Sequence, residues 1–269
     1  MEGTAGVCSW EQCDPSNTIE YPTFRRIMTR EVRAAIDGAR EAGVGEVLIN
    51  DSHWNMHNLL FDELPADVRV LSGHRKPHSM VQHGNEGFDG AFFTGYHAGI
   101  GTQNAVLAHT YSPGVIYSIR INGIECNEAL LNAAYLGAYD VPVLLLTGDR
   151  ATCEQTKAYL PWIHTAVVKE SIGYYSTNSL TPDIAQTLIR EAAREAVARR
   201  AECKPFRFAG PITMEIETTV VECADYIELI PGFTRTAGRS LRFVAPHFVD
   251  AFNAFIAAMR IGRGAAEKA

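Results

Sequence analysis

No apolar stretch in these 269 residues approaches the roughly 20 needed to cross a bilayer. The opening residues, Met1-Glu2-Gly3-Thr4-Ala5-Gly6, lack the basic start and apolar run of a signal peptide, so a cytoplasmic location is expected. Basic residues are outnumbered, 24 Lys and Arg against 31 Asp and Glu, and the net charge of -7 argues against nucleic acid as a main partner. The six cysteines (Cys8, Cys13, Cys126, Cys153, Cys203, Cys223) show no Cys-x-x-Cys and no paired spacing. They read as reduced, mostly buried thiols. There is no Gly-x-Ser-x-Gly elbow, no phosphate loop and no Gly-x-Gly-x-x-Gly after a strand, and the glycines at 95, 99 and 101 make only a loose turn. Low-complexity linkers and internal repeats are absent as well.

What remains is an ordinary globular composition, 46% hydrophobic and 20% charged, in a chain long enough for one large domain or two smaller ones. Residues 24–42 carry Phe24, Ile27, Met28, Val32, Ala35, Ile36 and Ala39 at helical spacing, with Gly43 placed to end the helix. A strand at 46–50, a short helix at 57–64, a short strand at 68–73 and a buried strand at 90–94 follow. Residues 115–121 alternate up to the Asn122-Gly123 turn, 127–139 read as a helix, and 141–147 as another buried strand. Such alternation predicts a doubly wound, mostly parallel α/β sheet. Beyond residue 165 come a strand at 166–169, a helix at 181–199 opened by Thr181-Pro182-Asp183, a half-wet strand at 211–217, a helix at 220–229, a strand at 239–245 and a closing helix at 247–261. The rhythm predicts two domains, an α/β metal-binding domain over 1–164 and a smaller α+β domain over 165–269.

Two histidines fall at matching places. His53 follows the strand 46–50 through Asp51-Ser52, and His97 follows the strand 90–94 through Gly95-Tyr96. Ligands of open parallel sheets bind outside the carboxyl ends of the strands, where Gly148-Asp149 also ends the strand 141–147. A metal site drawn from separate strand ends combines such imidazoles with carboxylates. Glu2, Asp51, Glu125, Glu128 and Asp149 are the acidic candidates. Glu128 also fits an ordinary first-turn acid favoured by the helix dipole. Asp51 fits either a helix cap or a partner that orients a ligating His. His109, between two predicted strands, fits an acid, a base or a core donor. His57 lacks the acid that would complete a helical zinc-protease pattern, and His74, His78 and His83 lie in a polar loop suited to an entrance or an interface.

Taken together, several segments resemble the DppA-type D-aminopeptidases, a family of zinc metallopeptidases. They are Met1-Glu2-Gly3, Asn50-Asp51-Ser52-His53, Lys76-Pro77 with Ser79-Met80, Gly95-Tyr96-His97-Ala98, His109, Asn127-Glu128 with Leu131-Asn132-Ala133, Tyr139 through Gly148-Asp149, and Pro231-Gly232. The resemblance spans nearly the whole chain and implies hydrolysis of short peptides with an N-terminal D-residue, two zinc ions per subunit, and a ring-shaped homodecamer. Carried over, it implies Glu2, His53, His97 and Glu128 as metal ligands and His109 as the catalytic histidine; His57 stands where the family has Asn and gains no role. The family's Asp-x-Glu pair calls for an Asp immediately before Met1, at the end of an apolar first strand central to the sheet. That strand is missing from this sequence, so the upstream reading frame is expected to encode several apolar residues ending in Asp, and protein begun at Met1 to bind less zinc. The alternative is a non-catalytic homologue that keeps the fold and assembly but holds metal poorly.

Overall fold

The computed structural model describes residues 1–266. A turn-rich segment leads into α1 (Tyr21–Glu41), whose Met28, Ala35, Ile36 and Ala39 are buried, as the helical spacing predicts. Next come β1 (Leu48–Asn50), a 3-10 turn at Phe61–Glu63, β2 (Arg69–Leu71), a second 3-10 turn at Ser79–Val81 and β3 (Ala91–Tyr96). A hairpin of β4 (Ile116–Ile121) and β5 (Ile124–Glu125) turns at Asn122-Gly123, both in the left-handed region that this turn requires. It is followed by α2 (Glu128–Ala138), β6 (Val143–Asp149), α3 (Arg150–Lys157), β7 (His164–Gly173), β8 (Ser176–Ser179) and α4 (Pro182–Ala198). The chain closes with β9 (Ile212–Thr218), α5 (Val221–Ile227), β10 (Phe233–Ala237), β11 (Ser240–Ala245) and α6 (Phe248–Ala266). Among the described residues no helix is long and apolar enough to cross a membrane.

Parallel pairing dominates around the site. β1 pairs with β2, and β3, β6 and β7 run parallel in the order β3-β6-β7-β8, with β8 antiparallel at the edge. Every residue of β6 is buried, the signature of a strand covered on both faces. On one face α1 packs against α4 so closely that a Cβ on Gly38 would stand 2.0 Å from the Arg190 carbonyl oxygen. On the other lies α2, buried from Glu128 to Gly137 among Phe252, Phe255 and the inner face of the third sheet. That sheet is antiparallel throughout, in the order β10-β11-β9-β4-β5. β1 and β3 each end their sheets, and both line a cavity of about 1150 Å³ that extends to the residues described below.

Two expectations need correction. The division at residue 165 does not follow the sheets: β7 and β8 extend the sheet of β3 and β6, while β4 and β5 belong with β9, β10 and β11. The two sheets therefore exchange strands across the expected boundary, because β4 finds its hydrogen-bonding partner in β9 rather than in its sequence neighbours. The helix expected at 57–64 is reduced to the turn at Phe61–Glu63. Just before that turn the Asp51 carboxylate, at the exit of β1, ties the N–H groups of Asn58 and Leu59 back toward the strand end.

Candidate metal centre

Five side chains named from the sequence meet at the carboxyl ends of β1 and β3. Glu2, His53, His97, His109 and Glu128 are 4%, 9%, 4%, 7% and 5% exposed. Local sequence explains three of the placements. His53 leaves β1 through Asp51-Ser52, His97 directly follows β3, and Glu128 is the first residue of α2, whose N-cap Asn127 accepts from the Leu130 N–H at 2.9 Å. His109 arrives on the long loop between β3 and β4.

Glu2 is delivered by a turn gripped from several sides. Gly3 N–H donates to the Gly95 carbonyl at 3.0 Å, and a Cβ on Gly3 would stand 1.7 Å from the Tyr96 carbonyl oxygen. The wholly buried Lys169 ammonium donates to the carbonyls of Glu2, of Thr4 at 2.9 Å and of Val7 at 2.7 Å. From α1 the Glu31 carboxylate accepts the Ala5 N–H at 2.8 Å. Burial lowers the Lys169 ammonium to about 8 and raises the Glu31 carboxyl to about 7. Sequence reading missed both, since each is a polar residue on a segment recognised by its apolar pattern.

The three imidazoles share one arrangement. His53 Nε2 lies 2.9 Å from the Cys13 carbonyl oxygen and its Nδ1 lies 3.3 Å from Glu2 Oε1. His97 Nδ1 is bonded to the Ala98 carbonyl at 3.1 Å, leaving Nε2 3.5 Å from Glu128 Oε1. His109 Nδ1 is bonded to the Leu107 carbonyl at 2.8 Å, leaving Nε2 3.7 Å from the same oxygen. A carbonyl only accepts, so in each ring the bonded nitrogen carries the hydrogen, and the other presents its lone pair to a carboxylate when the ring is neutral. Two lone pairs facing each other need a cation between them, a proton on the ring or a metal ion. Donors about 2.0–2.1 Å from a tetrahedral zinc stand roughly 3.3–3.4 Å apart, close to the His–Glu spacings seen here. The second nitrogen held by a carbonyl is also the usual way a ligating imidazole is oriented. The donor set therefore fits a metal, in two groups whose ligand atoms lie within 4.8 Å of one another: Glu2, Cys13 and His53, and His97, His109 and Glu128.

Charge in the site is strongly coupled. Burial works to raise the Glu2 carboxyl, yet the His53 imidazole, the Met1 ammonium and His97 hold it well below its ordinary 4.5. Glu128 is lowered in the same way against its burial, by His97 and His109. Burial opposes protonation of His97, but Glu128 and Glu2 raise it to about 9. His109 is lowered by burial and by His97, against which its ring stacks at 3.9 Å between centroids. Trp10 packs edge-on against His109, at 5.3 Å between centroids.

The remaining candidates lie elsewhere. Asp51 makes no bond to the His53 ring; its carboxylate takes the Asn58 side-chain amide at 2.7 Å, and that amide also donates to the His53 carbonyl at 2.7 Å. Asp149 caps α3 and accepts from Ser171, while Glu125 pairs with Arg120 and Ser118 at the surface. His57 is exposed, His83 pairs with Glu86, and His78 packs on Tyr135. Cys13 was missed as a site residue because no cysteine spacing marks it; burial and the nearby Glu2 push its thiol far above the ordinary value.

Residues 1–257 match the model of the M55 peptidase family, described as D-aminopeptidase. The chain is 34% identical to a D-aminopeptidase of Bacillus subtilis (strain 168) over 257 residues, covering 95% of this chain and 93% of that protein. It superposes with a TM-score of 0.93 and 31% identity on the solved Zn-dependent D-aminopeptidase DppA from Bacillus subtilis, described as a self-compartmentalizing protease, over 98% of this chain and 95% of that one. With the buried His–carboxylate centre at its strand ends, the chain belongs to the D-aminopeptidase family of M55 peptidases.

Proposed function

We propose that this peptidase removes the amino-terminal residue, of D configuration, from short peptides with the help of two zinc ions. The observation that carries the reading is the set of three imidazoles, each tied to a backbone carbonyl through one nitrogen and turned toward a buried carboxylate through the other. Glu2 and His53 would hold one ion, His97 and Glu128 the other. Zinc supplies an acidified water and polarisation of the scissile carbonyl.

The chain's own residues do the rest. His109, its Nδ1 held by the Leu107 carbonyl, exchanges a proton at Nε2, and its lowered affinity for protons keeps it ready to accept one. Trp10 and the stacked His97 ring hold that imidazole in plane. Lys169 and Gly3 keep the Glu2 carboxylate at the carboxyl ends of the strands, and Asp51 acts as a positioning residue by tying down the turn that carries His53. Family likeness to a self-compartmentalizing protease supports a closed homo-oligomer, a decamer in our reading, that admits short peptides and excludes folded proteins.

The test uses the full-length protein with D-Ala and L-Ala dipeptides. Activity should disappear after exhaustive chelation, return with zinc, and favour the D-peptide. Activity retained after verified metal removal would refute the metallopeptidase reading, and equal cleavage of both peptides would refute the stereochemical part. A zinc content well under one per chain would instead favour the non-catalytic alternative.

A further inference from the structure

The segment from Cys8 to Asp14 is folded into a tight turn with little freedom. Gln12 Oε1 accepts the N–H groups of Cys8 at 2.7 Å and Ser9 at 3.0 Å, and the Trp10 carbonyl accepts those of Cys13 at 2.9 Å and Asp14 at 2.8 Å. The turn sends two side chains into the centre. Trp10 packs on His109, and Cys13, with no exposed surface, reaches the Glu2–His53 end. Its Sγ, a Glu2 carboxylate oxygen and a His53 ring nitrogen lie within 4.8 Å of one another. Cys13 also holds His53 in place, because its carbonyl receives the Nε2–H at 2.9 Å and so leaves Nδ1 facing Glu2. One residue thus orients the imidazole through its backbone and presents a sulfur to the same small volume. Three other buried cysteines behave differently: Cys126, Cys203 and Cys223 donate Sγ–H to carbonyls of Ile124, Trp162 and Gly262, at 3.3, 3.7 and 3.3 Å.

We infer that Cys13 is a side-chain metal ligand, completing a carboxylate, imidazole and thiolate set with Glu2 and His53. The inference rests on reading that end of the centre as a metal site. When the metal binds, the sulfur–metal bond forms and the thiol proton leaves to solvent, with no change of oxidation state. The two ends then differ chemically. Glu2 and a Cys13 thiolate bring two negative charges to one ion, whereas His97, Glu128 and the nearby His109 bring one carboxylate to the other. A soft thiolate biases its end toward zinc, cobalt or cadmium over manganese or magnesium, so Cys13 sets metal selectivity at one end only.

Cobalt(II) substitution of the full-length protein tests this without relying on activity. Wild-type protein should show a near-ultraviolet thiolate-to-cobalt charge-transfer band as the metal is added. Cys13→Ser should abolish that band, keep visible cobalt bands from the other end, and weaken zinc binding at one of the two sites by about tenfold or more, the scale on which even supporting contacts act. Cys8→Ser should keep the band. Bound cobalt with no charge-transfer band in wild-type protein would overturn the inference whatever the variants do, and so would a band that survives Cys13→Ser. A wild-type chain that binds no cobalt at all would instead remove the underlying reading of the site, and the role of Cys13 with it.

Discussion

Glu31 offers a sharp test of how the site is supported. Its carboxylate sits on α1, 1% exposed, with Oε1 taking the Ala5 N–H and Oε2 without a partner. Burial raises the group from 4.5 to about 7 despite the Ala5 N–H and the nearby Lys169 ammonium. At 1.36 kcal/mol per pH unit, this amounts to about 3 kcal/mol of stability withheld from the folded state above neutral pH. The sign follows from proton counts. Between pH 4.5 and 7 the unfolded chain releases a proton that the folded chain keeps, so stability falls as pH rises through that window. Glu31→Gln keeps the acceptor for Ala5 and removes the titration. The variant should match wild type near pH 4 and exceed it at pH 8 by up to about 3 kcal/mol, a rise in Tm of several degrees at roughly 2–4 °C per kcal/mol for a chain of this size. Urea unfolding of both proteins from pH 4 to 8 measures the difference, in which titrating groups that do not face Glu31 cancel; Lys169 does face it and adds its own contribution toward the upper end. A difference that does not change with pH, or a variant less stable than wild type at pH 8, would refute the reasoning.

Other consequences are as direct. His109→Ala should lower turnover by about a hundredfold or more, the usual scale for a general acid or base, while metal analysis finds both ions retained; a parallel loss of metal would make His109 a ligand. Gly3→Ala places a methyl against the Tyr96 carbonyl oxygen and should displace Glu2, so the Glu2–His53 end loses metal while circular dichroism stays native. Lys169→Met leaves the buried carbonyls of Glu2 and Val7 without their donor, while that of Thr4 keeps the Val7 N–H, and should destabilise the fold in urea unfolding by about 1–3 kcal/mol for each carbonyl left unpaired.

Much of the site was legible because its signals are local. An apolar run followed by a short polar exit marked His53 and His97 as strand-end residues, and the start of the helical pattern over 127–139 marked Glu128 as first-turn, all borne out in the fold. The same local rules recovered α1, α2, β6, α4 and the Asn122-Gly123 hairpin within a few residues. They failed at 57–64, where the expected helix is only the turn at Phe61–Glu63, preceded by the bonds from Asn58 and Leu59 to Asp51.

By itself, then, the sequence determined which segments become strands and helices and which histidines stand at strand ends, since periodicity and capping act within a few residues. Only the tertiary structure decided which imidazole meets which carboxylate, that β4 pairs with β9 across the expected domain boundary, and that Lys169 reaches the turn bearing Glu2. It alone brought Cys13 to a histidine 40 positions away. Spacing along a chain carries no information about such meetings; they are settled by which buried polar groups find partners once the apolar faces have packed.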